Sequence, residues 1–448
     1  MAKKKAPTHS PLLLNPEHID YSDLTGDQKR GADLFDEWYH TPKRKLSDMV
    51  FRLGGVSGTG KSFLIRYLIE RYKFSADECY VVAYTGQAVN VLRRSGIIAK
   101  TIHSTFMKVK EVPLFKDGRP VIRRGIPVTR MKFTPIKVLP PEVKLIICDE
   151  ASFLPEDLEK MMLRYNVPIM ETGDPIQLPP VAGKQCFHMG NLDWFMEDIM
   201  RQSLDSEIVR LSNSIRHYMP IDSRAYGQDV RFLWAQESLE ATFNRYLPFI
   251  RGSDMIMALK NKDRRYLIDL YRDKVIKTNS PYPVKGERLI CRQNDWNLML
   301  GPYPLTNGTQ GYAVHTVGKS EVNRSTKTFL LDFRPTFLDD EYFDGLLCDT
   351  EFIRRMYGDK DAEDACRYNP GKKFEFGHVI TVHSAQGSSA KTAMFFDSFL
   401  YDAEYHMRIR YTAVTRAEQK LYYVLPRHDK YPGWTDLWRG GFRPDAKR

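Results

Sequence analysis

No two of the six cysteines, at 79, 148, 186, 291, 348 and 366, stand at C-x-x-C spacing. That argues against a zinc site and against a disulfide framework, and leaves reduced, mostly buried thiols as the reading. Long apolar runs are missing too: none approaches the ~18 residues of a membrane-spanning helix. The opening Met1-Ala2-Lys3-Lys4-Lys5 lacks the apolar segment of a secretory signal. A soluble, cytoplasmic protein with no membrane partner is expected, in which the glycosylation triplets Asn307-Gly308-Thr309 and Asn323-Arg324-Ser325 stay unmodified. Acidic residues are the minority charge, 56 against 67 Lys and Arg, for a net charge of +11. Such a balance favours polyanionic partners through phosphate contacts and counterion release, with a merely solvated basic face as the competing reading. At 448 residues the chain is long for one core, and roughly three domains or subdomains are expected.

What is present starts with Gly55-Val56-Ser57-Gly58-Thr59-Gly60-Lys61-Ser62, which matches G-x-x-x-x-G-K-[ST] at every fixed position. Residues 49–53 read as a buried strand and 63–72 as a helix, the context this motif needs. Across Gly55, Ser57, Gly58, Thr59 and Gly60 the backbone can aim several N–H groups at a polyphosphate. Lys61 neutralises the β- and γ-phosphates, and the Ser62 hydroxyl reaches Mg²⁺. The chain is therefore expected to bind ATP or another nucleoside triphosphate with Mg²⁺.

Residues 1–20 carry Pro and Lys with little periodicity and read as a mobile tail. Strand candidates at 49–53, 80–84, 144–148 and 167–172, separated by helical stretches, predict an α/β unit with a parallel sheet. An interruption at 106–137 holds nine Lys or Arg against two acidic residues, with Phe106, Phe115 and Phe133 interleaved. That composition suits a basic hairpin whose rings stack on or wedge between bases; a loop-rich surface excursion is the alternative. Strand candidates at 254–259, 379–382, 392–396 and 421–425 predict a second parallel sheet. Short antiparallel strands within 285–376 predict a small β-barrel inserted in it. There, 339–364 contains ten acidic residues against three basic ones, a face expected to point away from nucleic acid.

Leu145-Ile146-Ile147-Cys148-Asp149-Glu150-Ala151-Ser152 is an apolar strand ending in paired carboxylates. Asp149 can hold Mg²⁺ through water, and Glu150 can orient and deprotonate the attacking water.

With these segments the chain resembles superfamily 1 helicases, most closely the RecD/Dda-like branch common in phages and bacteria, from about residue 24 to 424. Leu24-Thr25-Gly26-Asp27-Gln28 resembles the Q motif, in which Gln28 would read adenine. Tyr84-Thr85-Gly86-Gln87-Ala88 resembles motif Ia, and Thr101-Ile102-His103-Ser104 the segment that follows it. Gly173-Asp174-Pro175-Ile176-Gln177-Leu178-Pro179-Pro180 resembles motif III, where Gln177 would sense the γ-phosphate. Leu211-Ser212-Asn213-Ser214-Ile215-Arg216 stands where motif IV falls. Thr381-Val382-His383-Ser384-Ala385-Gln386-Gly387-Ser388 resembles motif V, and Tyr411-Thr412-Ala413-Val414-Thr415-Arg416-Ala417 motif VI. Gly86 and Gln87 depart from the His or Lys often found in motif Ia, and Arg210 is the alternative to Arg216.

The resemblance implies two RecA-like lobes with ATP clamped between them. The first would span 21–210 and carry a pin hairpin at about 105–137. The second would comprise 211–284 and 377–448, interrupted by an SH3-like barrel at 285–376. It implies catalytic roles for Lys61, Glu150, Gln177, Arg216 and Arg416, the two arginines as fingers on the γ-phosphate, and nucleotide contacts by Gln386 and Gly387. Thr85, Thr101, His103, Thr381 and His383 would line the nucleic-acid track with the three hairpin phenylalanines. The implied activity is 5′→3′ movement of a monomer on single-stranded DNA and unwinding of forked duplexes in replication, recombination or repair. A single-strand-binding protein or replisome component is a partner of the expected kind. An RNA helicase, a translocase that strips proteins without unwinding, a small-molecule kinase and a non-catalytic DNA-binding module are the rival readings.

Overall fold

The computed structural model describes residues 11–14, 18–43, 45–113, 115–116, 119–120, 122–123, 126–127, 129–198, 206–219, 221–301, 303–338, 340–356 and 371–426. Most of the expected tail, the Phe115 side chain, part of the acidic stretch and the end of the second lobe lie outside these residues. The chain divides into two compact units, 1–201 and 202–448, a boundary upstream of the expected one. No described helix is long and apolar enough to cross a membrane.

The first unit is built on a six-stranded, wholly parallel sheet. Its order is Trp194–Met196, Val50–Gly55, Ile169–Gly173, Leu145–Asp149, Cys79–Ala83 and Ala99–Thr101. A parallel sheet has helices on both faces, so its central strands bury alternate side chains in two cores. Leu145 and Ile147 pack with Phe35, Leu64 and Leu68 on one face, while Ile146 and Cys148 pack with Ile102, Met161 and Met162 on the other. At about 1.5–3 kcal/mol for each large apolar side chain buried, these strands fix the frame on which the carboxylates sit. A buried ionic cluster interrupts the core: Arg52 bonds to both Glu159 and Glu171. Burial, reinforced by the Glu159 charge, pushes the Glu171 carboxyl well above the usual carboxylate range.

Between Thr101 and the carboxylate strand the chain leaves the sheet. Met107–Pro113 pairs antiparallel with Thr129–Pro135, from Met107 opposite Pro135 to Pro113 opposite Thr129. Two shorter ladders, Phe115–Lys116 with Arg119–Pro120 and Ile122–Arg123 with Ile126–Pro127, lie beyond.

The second unit has a five-stranded parallel sheet in the order Val230–Trp234, Ala417–Leu425, Ala390–Phe396, Met255–Ala258 and Ile380–Thr381. Inserted in it is an antiparallel sheet of six strands: Val322–Asn323, Thr328–Pro335, Gln310–Ala313, Arg288–Cys291 and Phe374–Phe376 in order, with Phe343–Asp349 also pairing Thr328–Pro335. A bridge between Cys348 and Lys372 brings the far strand back toward the Phe374–Phe376 edge. Buried ion pairs hold this insert to its own unit: Arg264 to Glu375, and Arg272 to Glu287 at 2.7 Å.

Candidate active site and nucleic-acid contacts

Strand Val50–Gly55 feeds the phosphate loop, and helix Lys61–Tyr72 leaves it. Gly58 and Gly60 have φ of +90° and +79°, a left-handed backbone that glycine adopts without a Cβ penalty. At Gly55 a Cβ would meet Thr59 Oγ1 at 2.7 Å. The Lys61 Nζ folds back onto the loop, donating to the carbonyls of Gly55 (2.8 Å) and Val56 (3.2 Å). It must leave these acceptors to meet a phosphate.

Gln28 braces the same loop. Thr25 caps helix Gly26–His40 and accepts from the Gln28 N–H, while the Gln28 Oε1 accepts from the Thr25 N–H. Its Nε2 donates to the carbonyls of Thr59 at 3.0 Å and Gly60 at 3.4 Å, and the side chain is fully buried. In this form its amide ties helix to loop.

Two strands away from the Gly55 strand, Asp149 ends Leu145–Asp149 and Glu150 follows at φ +57°. A left-handed non-glycine residue costs about 1–3 kcal/mol and is tolerated where surrounding structure over-determines it. Here the Glu150 N–H donates to Asp149 Oδ1 at 2.9 Å. From the neighbouring strand Ile169–Gly173, Thr172 Oγ1 donates to the same Oδ1 at 2.5 Å. The Asp174 N–H donates to Ser152 Oγ at 2.7 Å, and Asp174 Oδ2 accepts from Gln177 Nε2 at 3.3 Å. A Cβ on Gly173 would lie 2.7 Å from Ser152 Oγ, so the strand ending in Gly173 and the turn after Asp149 touch through backbone. The candidate metal donors Asp149 and Ser62 are hard oxygens, which suit Mg²⁺. Among the described residues Asp149 Oδ2 takes no hydrogen bond, so one carboxylate oxygen is available to a hydrated cation.

In the second unit Arg216 ends helix Glu207–Arg216 and is half-buried. That helix is pinned at its start, where Glu207 accepts from the N–H groups of Gly227, Gln228, Asp229 and Val230. Arg210 donates to the Ala225 carbonyl and lies over the Tyr226 ring. Arg416 is buried, donating to the carbonyls of Thr412 and Ser388 and to Thr415 Oγ1. Through Ser388 it joins the Gln386-Gly387 turn, where Gly387 has φ +71°.

The expected track residues share one local design. Thr85, Thr101 and Thr381 each follow or end a strand and cap the next helix, accepting from Ala88, Ser104 and Ser384 N–H respectively. His103 and His383 stand at matching places in the two units, and burial lowers the pKa of both. The His103 ring meets Tyr84 at 5.9 Å and Phe133 at 5.7 Å, while His383 Nε2 meets Tyr405 OH at 2.8 Å. Phe133 is exposed on the hairpin. Phe106 cannot meet bases as expected: it is fully buried, stacked on Tyr165, and anchors the hairpin base in the core. Thr172, Ser152, Tyr84 and Tyr405 were not singled out from the sequence; for Thr172 the only signal was a hydroxyl at the strand end before Gly173-Asp174.

The phosphate loop, the strained carboxylate pair and the Gln177 turn on one parallel sheet define a P-loop nucleotide-binding protein with a second α/β unit. Residues 44–232 match the AAA domain family and 376–424 the UvrD-like helicase C-terminal domain. The ATP-dependent DNA helicase Pif1 of Campylobacter jejuni subsp. jejuni is 28% identical over 176 residues, which is 38% of this chain and 37% of that protein. The chain thus spans well under half the length of the curated relative it matches. Similar solved structures are the Pif1 helicase from Bacteroides in complex with ADP-AlF3 and ssDNA, and two coordinating Pif1 helicases studied for unwinding at forked dsDNA. Each has TM-score 0.50 and 15% identity, covering 94% of this chain and 99% of that one. These matches, in two separate segments of the chain, make it similar to the Pif1/RecD-like helicases of superfamily 1.

Proposed function

We propose that this chain is an ATP-driven DNA helicase that moves 5′→3′ on single-stranded DNA and opens forked duplexes in replication, recombination or repair. One observation carries the reading: Asp149, Glu150 and Gln177 sit at the carboxyl ends of strands or in the turns after them, and Lys61 opens the helix after the phosphate loop, all on one sheet, with Asp149 and Gln177 hydrogen-bonded to their neighbours. Lys61 holds the β- and γ-phosphates, Glu150 takes the proton of the attacking water, and Gln177 reports the state of the γ-phosphate. Ser62 and Asp149 would hold Mg²⁺, which when bound neutralises charge on the β- and γ-oxygens. Gln28 contacts the base after releasing a loop carbonyl, and Gln386 and Gly387 complete the nucleotide contacts. Arg416 and Arg216 stabilise the charge that spreads over the transferred group. Thr85, Thr101, Thr381 and the two histidines grip the strand; Phe133 stacks on bases at the fork, and the hairpin is the pin. The 285–376 insert is the SH3-like barrel between the two parts of the second RecA-like lobe. The protein works as a monomer in the cytoplasm, beside a single-strand-binding or replisome protein.

The reading is tested with forked DNA duplexes carrying either a 5′ or a 3′ single-stranded tail. Unwinding of the 5′-tailed fork alone, lost in a chain lacking residues 110–132 that still hydrolyses ATP, is the expected result. Unwinding from the 3′ tail would overturn the polarity. Full activity without the hairpin would overturn the pin, and ATP-driven movement without strand separation would leave a protein-stripping translocase.

A further inference from the structure

We infer that Thr172 is a positioning residue for the metal-binding carboxylate: its hydroxyl fixes which oxygen of Asp149 faces the cation. The inference rests on the proposed reading only in taking Asp149 as the Mg²⁺ ligand. Thr172 is fully buried in the strand Ile169–Gly173, where Cys148 lies opposite Glu171 and the next residues along are Asp149 and Thr172. A hydroxyl has a single proton to donate, and that of Thr172 goes to Asp149 Oδ1 at 2.5 Å. The Glu150 N–H, donated at 2.9 Å, ends on the same oxygen. Two donors on Oδ1 define the rotation of the carboxylate about its Cβ–Cγ bond and turn that oxygen into the protein. Among the described residues Oδ2 takes no hydrogen bond, so it is the oxygen available to a hydrated cation.

A bond from an uncharged hydroxyl to a carboxylate is stronger than one between neutral groups, and partners that orient a metal-binding side chain commonly govern metal affinity about 10- to 100-fold. Thr172 is suited to the task. Its branched Cβ fits the strand, and its hydroxyl arrives from the strand that leads directly to the Asp174–Gln177 turn. The strand that carries the γ-phosphate sensor is thereby joined to the strand that carries the metal ligand. A small slide of one against the other would change the orientation of Asp149.

The test is Mn²⁺ binding to the full chain with ADP, read from the free Mn²⁺ signal by electron paramagnetic resonance, for the parent and for Thr172→Val, Thr172→Ser, Thr172→Ala and Asp149→Asn. Thr172→Val keeps the shape and removes the donor, and is expected to weaken Mn²⁺ binding by about tenfold or more. Thr172→Ser, which restores the hydroxyl, is expected to stay within about threefold of the parent, with thermal melting reporting whether each chain is folded. Should the valine protein fail to fold, the alanine protein carries the same expectation. Binding within about twofold of the parent in a folded variant lacking the hydroxyl overturns the inference, since a purely structural hydroxyl would move the melting temperature alone. A parent chain that binds no Mn²⁺ with ADP overturns it as well. Tight Mn²⁺·ADP binding without nucleic-acid-stimulated hydrolysis would instead sink the helicase reading and leave the role of Thr172 standing.

Discussion

Two phenylalanines of the basic segment show how far side-chain identity alone reaches. Phe106 and Phe133 both interleave with Lys and Arg in the sequence, yet Phe106 is fully buried against Tyr165 while Phe133 is exposed beside His103. Composition could not separate them, because burial is decided by where the ladder starts: Met107 opens the hairpin, and the residue before it ends a helix packed in the core. Opposite consequences follow. Phe106→Ala is expected to cost about 3–5 kcal/mol of stability in urea denaturation. Phe133→Ala is expected to leave the melting curve in place and to weaken single-stranded DNA binding by about 1–3 kcal/mol, measured by fluorescence anisotropy. The reverse pattern would mean that the exposed ring, not the buried one, supports the fold.

At the scale of elements, helix Ala403–Val414 leads directly to Arg416, and one buried carboxylate holds it. Asp397 accepts from His406 Nε2 at 2.9 Å, from Arg410 Nε at 2.8 Å and from Tyr423 OH at 2.8 Å. Burial opposes its ionisation, but Arg410 and His406 outweigh this and hold the pKa down to about 2. Because the folded-state value lies below the ordinary one, the stabilisation is complete above about pH 4 and is lost as pH falls toward 2. Asp397→Asn removes the buried negative charge that faces Arg410 and is expected to destabilise by about 3–5 kcal/mol at neutral pH. Urea denaturation between pH 2 and 7 checks both, the variant losing the Asp397 share of the acid-induced decline. An unchanged urea midpoint would show that the network does not hold the helix.

The same scale explains what the sequence made legible. Apolar runs such as 144–148 and 392–396 mark the central strands because burial on both faces demands apolar residues throughout. The edge strands Ala99–Thr101, Trp194–Met196 and Val230–Trp234 escaped notice. The first two are only three residues long, and Val230–Trp234 carries Arg231 and an exposed Trp234. Motif residues were found because their spacing is chemical. Their orienting partners, Thr172 and Ser152, were not, because a lone hydroxyl at a strand end carries no pattern. Gln28 was legible as a position and not as a contact: its bond to the loop carbonyls needs the fold.

At the scale of the whole molecule, a net charge of +11, taken with the proposed backbone grips on the strand, implies binding that is tolerant of sequence and weakened by salt. A motor couples that binding to hydrolysis, whereas a small-molecule kinase with the same phosphate loop does not. The most direct test is steady-state ATP hydrolysis at low and high salt, alone, with single-stranded DNA and with single-stranded RNA, with Glu150→Gln as reference. The expected result is strong stimulation by DNA, reduced at high salt, and a fall of about 10²-fold or more in the variant. Equal or greater stimulation by RNA would move the assignment to an RNA helicase, and hydrolysis indifferent to both polymers would contradict the motor.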